Sequence, residues 1–110
     1  MPEARQKNQN TAQARIEKLL LSHKDEIIAI AEKHGAYNIR VFGSVARGEA
    51  TESSDLDLLI DYDRAKKTPW FPAGLILELE DLLAIPVDIG TELQLKKEIR
   101  DRVLSEAIAL

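Results

Sequence analysis

Two aspartates stand one residue apart in the stretch SDLDL, at Asp55 and Asp57. In a β-strand, residues i and i+2 point to the same face, roughly 6.5–7 Å apart at their Cα atoms. We therefore predict that both carboxylates share one face, while Leu56, Leu58 and Ile60 face the core. Paired carboxylates repel each other, and hard cations such as Mg²⁺ prefer such oxygens and support phosphoryl or nucleotidyl transfer. A solvated strand face explains the same alternation without a metal.

A glycine and a serine, Gly43 and Ser44, directly follow a predicted strand and open a short helical turn. Glycine lets a phosphate approach the backbone closely, and the hydroxyl and free amides of such a turn favour anions. Arg47 is either a phosphate ligand or a surface charge, and Ser44 is either a ligand or a plain helix cap. The segment is no P-loop, because Gly48 is not followed by the Lys-Ser/Thr pair of that motif.

A third aspartate, Asp88, stands in the short apolar stretch Val87–Ile89, which predicts another strand. If this strand pairs beside the one that carries Asp55 and Asp57, three carboxylates meet. Asp88 could then bind a metal and accept the proton of an attacking hydroxyl. Asp61 is a rival in phase with Asp57, but the polar turn that follows it favours exposure to solvent.

The elements that must position these side chains follow from hydrophobic periodicity. An apolar stripe from Thr11 predicts one long helix, or two that join near a Ser22–Asp25 capping box, with Gly35 as the stop. The other predicted elements are strands at 38–42, 55–61 and 87–89, a helix over 75–83 and a C-terminal helix from 95 to 110. This order indicates an α/β (α+β) domain over residues 12–110, with a small mixed sheet of about three to four strands flanked by helices. Residues 1–11 are predicted to form a disordered tail.

Composition narrows the class of protein. A chain of 110 residues is long enough for one domain with a hydrophobic core, and without cysteines it has no disulfide and no thiolate metal site. The polar N-terminus predicts no secretory signal and no apolar run predicts a membrane span, so we expect a cytoplasmic protein. The net charge of −4 argues against nucleic acid as a direct ligand.

An aromatic pair, Trp70 and Phe71, interrupts the loop before the helix over 75–83. The pair either plugs the core, anchors a partner protein or forms a wall for an adenine ring. His23 and His34 are predicted to be solvated, because no cysteine or nearby histidine completes a metal-ligand spacing.

The combined pattern resembles a known family. Gly-Ser-x-Ala-Arg-Gly at 43–48, a six-residue spacer that ends in Ser54, and Asp-x-Asp-Leu at 55–58 are similar to the signature of the minimal nucleotidyltransferase (MNT) domain. That family belongs to the DNA polymerase β-like superfamily, and Asp88 stands where the family has its third carboxylate. The element order from Ser22 to Leu110 also fits, whereas the first 21 residues lie outside the resemblance.

The resemblance implies a polymerase β-like core and a set of site residues. It assigns nucleotide and phosphate binding to Gly43, Ser44, Arg47 and Ser54. It assigns catalysis and the binding of two Mg²⁺ ions to Asp55, Asp57 and Asp88. The implied reaction is attack of a hydroxyl on the α-phosphate of ATP, with pyrophosphate leaving.

The single-domain members of the family imply a partner as well. They resemble MntA-type antitoxins, which silence a HEPN-domain ribonuclease toxin by adenylylating a tyrosine on it. A complex with such a toxin is therefore expected. Two alternatives remain open: an antitoxin that neutralises its partner by binding alone, and a nucleotidyltransferase with a small-molecule acceptor. The chain has no second domain to build an acceptor pocket, which disfavours the latter.

Overall fold

A computed structural model describes residues 10–110. The helices are α1 Thr11–Ser22, α2 Lys24–Lys33, α3 Gly43–Ala46, α4 Ala73–Leu83 and α5 Lys97–Glu106, with a 3₁₀ helix at Glu92–Gln94. The strands are β1 Ala36–Phe42, β2 Leu56–Tyr62, β3 Val87–Gly90 and β4 Ile108–Ala109. The predicted tail lies outside the described residues, apart from Asn10 and Thr11, which cap and begin α1. No described helix has the length and apolar character needed to cross a bilayer.

The four strands form one mixed sheet in the order β3-β2-β1-β4, which confirms the predicted sheet of three to four strands. Strand β1 is antiparallel to both β2 and β4, and β2 is parallel to β3. The register places Asp57 of β2 between Phe42 of β1 and Asp88 of β3. The prediction that the Asp88 strand lies beside the strand of the paired aspartates is therefore confirmed.

Strand β2 alternates as expected, and this alternation determines which face of the sheet carries the core. Leu56, Leu58 and Ile60 are almost fully buried in the main cluster, together with residues of α1, α2 and α4. Leu59, on the opposite face, is also buried but lies outside that cluster, as does Val103 of α5. The aspartate face of the sheet is thus partly covered rather than wholly solvated, and it stays accessible at the end that carries Asp57.

The predicted C-terminal helix is too long. Helix α5 ends at Glu106, the backbone then becomes extended, and β4 pairs with β1. The Leu110 N–H also donates to the Ile39 carbonyl at 3.0 Å. An unpaired strand edge on β1 needs hydrogen-bond partners, and that requirement overrides the helical apolar spacing of the last residues.

The long N-terminal apolar stripe forms two helices that join at His23. Ser22 does not cap the second helix, because His23 is its N-cap residue and makes no side-chain capping bond. His34 is not solvated, contrary to expectation. It is 7% exposed, with Nε2 2.7 Å from the Glu78 carboxylate and Nδ1 3.2 Å from the Thr68 hydroxyl.

Candidate active site

The turn after β1 brings Gly43 against the Asp57 carboxylate. Gly43 has φ +74°, a left-handed conformation that favours glycine, and it begins the single-turn helix α3. A Cβ added to Gly43 would collide with Asp57, whose Cγ would lie only 3.0 Å away. Gly43 is therefore required twice, once for the turn and once for the close approach of the carboxylate.

The three predicted aspartates lie at the same end of two neighbouring strands. Asp57 is half-buried in β2 and is the register partner of Asp88 in β3, while the exposed Asp55 immediately precedes β2. Burial raises the pKa of Asp57 to about 6, and repulsion from Asp88 and Asp55 adds to the rise. Arg47 opposes the rise without cancelling it. Asp57 is therefore close enough to Asp88 and Asp55 to be repelled by both.

These carboxylates fit a hard divalent cation whose remaining coordination positions are filled by substrate and water. Within residues 10–110, no three His, Asp or Glu side chains are already arranged as a metal-binding group. Mg²⁺ does not require one, because it is usually held by one or two carboxylates together with substrate phosphates and water. Asp57 and Asp88 match that requirement, because they are adjacent register partners and the Asp88 charge adds to the effect of burial on the pKa of Asp57.

Two serines predicted to bind nucleotide contact each other. The Ser44 hydroxyl donates to the Ser54 hydroxyl at 3.3 Å, and the Ser54 oxygen accepts the Thr51 N–H at 2.8 Å. Ser54 thus packs the loop before β2 against the Gly43–Ser44 turn. The two serines therefore lie side by side, and their binding of nucleotide stays a prediction.

Glu106 is a site residue that sequence reasoning missed. The Gly43 N–H donates to Glu106 Oε2 at 2.8 Å, and Arg47 Nη1 lies 3.3 Å from both Glu106 oxygens. Glu106 also contributes to the raised pKa of Asp57. No local signal could have revealed it, because an acidic residue on a helix 63 positions away looks like any solvated charge.

Gln13 is the second residue that was missed. It is buried in α1, donates from Nε2 to the Val45 carbonyl at 2.8 Å, and accepts the Ala50 N–H on Oε1 at 3.0 Å. One side chain therefore satisfies the backbone on both sides of the segment that carries Arg47. Although it lies outside the resemblance, α1 supports the site directly.

Asp61, the predicted rival, has a different role. Its carboxylate accepts hydrogen bonds from Arg40 Nη2 at 3.1 Å and from Asn38 Nδ2 at 2.9 Å. Both partners are residues of β1. Asp61 lies near one end of β2, and Asp57 lies near the other. Asp61 is thus part of a structural ion pair rather than of the carboxylate group.

The two residues of the aromatic pair differ in their environment. Phe71 packs against Tyr62 with ring centroids 5.0 Å apart, as expected of a loop that folds back on the core. Trp70 is 76% exposed, so it plugs nothing. The roles of Trp70 as a partner anchor or as an adenine wall stay predictions.

The family model of the nucleotidyltransferase domain matches residues 24–110. The chain belongs to this family. It is 40% identical over 95 residues to protein adenylyltransferase MntA of Thermococcus cleftensis, covering 84% of this chain and 90% of that protein. It is 38% identical over 85 residues to a Methanocaldococcus jannaschii protein assigned as a protein adenylyltransferase, covering 77% and 90%.

Solved structures support the same assignment. A structure described as a minimal nucleotidyltransferase is 45% identical, with a TM-score of 0.74 over 84% of this chain and 94% of that one. A toxin–antitoxin structure with AMP-PNP matches at a TM-score of 0.51 and 21% identity, covering 88% and 70%, and so shares the fold. This nucleotidyltransferase therefore has the mixed sheet and flanking helices of the minimal form.

Proposed function

We propose that this nucleotidyltransferase transfers AMP from ATP to a tyrosine hydroxyl of a HEPN toxin and thereby acts as its antitoxin in the cytoplasm. The observation that carries the proposal is the Asp57 carboxylate packed directly against Gly43. This contact supports the proposal because carboxylate oxygens, the ligands that Mg²⁺ prefers, lie close to the Gly43 backbone, whose N–H we propose binds the triphosphate together with Arg47. The naming of relatives as protein adenylyltransferases supports a protein acceptor.

Each group in the site has a task in this reaction. The Gly43 N–H, the Ser44 hydroxyl and the Arg47 guanidinium bind and orient the triphosphate. Asp88 accepts the proton of the attacking tyrosine hydroxyl. The hydroxyl oxygen then forms a bond to the α-phosphorus, as the bond between the α-phosphorus and pyrophosphate breaks. Two Mg²⁺ ions, held by Asp55, Asp57 and Asp88, would neutralise charge on the phosphates when bound.

Transfer of radiolabel tests the proposal. The purified protein is mixed with Mg²⁺, α-labelled ATP and the product of the adjacent gene, and we expect that product to be a HEPN toxin that takes up the label. Asp57→Asn should reduce the transfer at least about 100-fold. Asp61→Asn is the matched control, because it removes the same charge from the same strand face but at the Arg40 pair. It should retain most of the activity.

The alternatives predict different outcomes. If the wild type transfers no label and Asp57→Asn still neutralises the toxin, the protein acts by binding alone. Label on a small molecule but not on the toxin would identify a small-molecule acceptor. Equal losses in Asp57→Asn and Asp61→Asn would contradict the assignment of the site to Asp57.

A further inference from the structure

The Glu106 carboxylate occupies the donors that the proposed function assigns to phosphate. Its Oε2 accepts the Gly43 N–H at 2.8 Å, and both of its oxygens lie 3.3 Å from Arg47 Nη1. The Glu106 side chain is only 15% exposed, so it lies within the site rather than at its rim. A carboxylate and a phosphate oxygen accept charge-assisted hydrogen bonds from the same donors with the same geometry.

Glu106 and a bound triphosphate cannot both accept the Gly43 N–H. A backbone N–H has one hydrogen to donate, and Gly43 already gives it to Glu106. Asp57 lies against the same glycine, so an unmoved Glu106 would add a second negative charge beside the phosphates. A triphosphate that uses the Gly43 N–H must therefore displace the carboxylate.

The movement needed is confined to one side chain. The backbone is held on both sides of Glu106, because the Ala107 N–H donates to the Val103 carbonyl at 2.9 Å and Ile108 pairs with Val41 in the sheet. Glutamate has three rotatable side-chain bonds, so its carboxylate can swing away without unfolding α5 or β4. The exchange is thus a local one.

We propose that Glu106 is an intramolecular competitor of the nucleotide, holding Gly43 and Arg47 in place until the triphosphate displaces it. The inference rests on the proposed function, since it concerns the same phosphate donors. If the donors are free of Glu106 about a tenth of the time, the apparent affinity for a triphosphate is about tenfold weaker than the intrinsic one. The competition acts on the phosphates and not on the adenosine.

Calorimetric titration of Glu106→Gln and Glu106→Ala tests this. AMP-PNP and inorganic tripolyphosphate should bind Glu106→Ala about tenfold more tightly than wild type, and Glu106→Gln more tightly by a smaller factor, while adenosine binding stays unchanged. Glu49→Gln is the matched control: Glu49 also pairs with Arg47, at 3.0 Å, but has no bond to Gly43. It should change the affinity less than about twofold. Thermal melts confirm that each variant folds, and the isosteric Gln variant keeps an acceptor for Gly43 if the Ala variant does not fold.

Three results would overturn the inference, and they are distinct. If wild type binds AMP-PNP and both Glu106 variants bind it equally or more weakly, Glu106 is a structural tie and the proposed function stands. If Glu49→Gln tightens binding as much as Glu106→Gln, the effect is one of general charge. If wild type binds no AMP-PNP and transfers no AMP, the proposed function itself fails, and the competition fails with it.

Discussion

At the scale of single residues, Asp57 determines the electrostatics of the site. A strand aspartate that faced plain solvent would keep an ordinary pKa, whereas burial and the neighbouring Asp88 and Asp55 raise the pKa of Asp57 to about 6. The folded chain without metal therefore holds a proton on Asp57 more tightly than the unfolded chain does. This is the electrostatic state that a cation would relieve.

We expect Asp57→Asn to stabilise the metal-free protein in a pH-dependent way. Because the folded-state pKa of about 6 lies above the ordinary 3.8, wild-type stability falls as pH rises through that window, and the full penalty is present above it. The variant lacks the penalty, so in EDTA its Tm should exceed that of wild type above about pH 7 and match it near pH 4.

Melts across that pH range, with and without Mg²⁺, measure the effect. Mg²⁺ should raise the Tm of wild type above about pH 7 and have a much smaller effect on the variant, because binding to the folded state adds stability by mass action. A Tm difference that stays constant with pH would contradict the argument, as would a variant less stable than wild type at high pH.

At the scale of elements, a glycine stands on each side of the short helix α3: Gly43 begins it after β1, and Gly48 follows its end. Gly43 and Gly48 both have positive φ, at +74° and +77°. A Cβ on Gly43 would collide with Asp57, while a Cβ on Gly48 would meet nothing within 4 Å. The two positions therefore separate backbone strain from the displacement of the carboxylate.

Gly43→Ala and Gly48→Ala should differ in activity far more than in stability. Each substitution should lower the free energy of unfolding by about 1 kcal/mol, because alanine is strained at positive φ. Only Gly43→Ala pushes Asp57 from its position, so it should reduce AMP transfer at least about 100-fold, while Gly48→Ala stays within a few-fold of wild type. Urea titration measures the stability of each variant, and the label assay measures its AMP transfer. Equal activities in the two variants would show that the close approach of Asp57 to Gly43 is unimportant for transfer.

The packing of α1 on the site gives a second prediction at this scale. Gln13→Ala leaves the Val45 carbonyl and the Ala50 N–H without their buried partner, so it should cost about 1–3 kcal/mol of unfolding free energy. Arg15→Ala is the control, because its ion pair to Glu52 connects α1 to the same loop but is exposed. That variant should leave the urea midpoint unchanged. Comparable losses in both would mean that burial of Gln13 is not the cause.

At the scale of the whole molecule, one face of the sheet carries the main core and the other carries the site. The loop from Asp63 to Pro72 connects β2 to α4, with Phe71 packed inward on Tyr62 and Trp70 turned out to solvent. The exposed indole is available to a partner, while the phenyl ring is part of the fold.

Trp70→Ala and Phe71→Ala should separate these two roles. Trp70→Ala should change the free energy of unfolding by less than about 0.5 kcal/mol, as expected for an exposed side chain. Phe71→Ala should lower it by about 1–3 kcal/mol, because it removes buried apolar area. Urea titration followed by circular dichroism measures both, since one variant removes the only tryptophan of the chain. A large loss in Trp70→Ala would show that the indole packs against the protein.

The main features of the fold could be predicted because they depend on neighbouring residues. The alternation of leucine and aspartate in β2, the glycine after β1 and the apolar face of α4 are all local patterns, and each one matches the structure. The placement of Asp88 beside Asp57 required the further assumption that their strands pair, which the register confirms.

What the sequence by itself determined was therefore the chemistry: the carboxylates, the glycine–serine turn and the strands and helices that carry them. Only the tertiary structure decided which distant groups complete the site. Glu106 reaches Gly43, Gln13 supports the segment around Arg47, and the last residues leave the helix to pair with β1. The physical reason is that local periodicity is set by residues within a few positions, whereas these contacts depend on the strand order and on the hydrogen-bond needs of backbone far away in the chain.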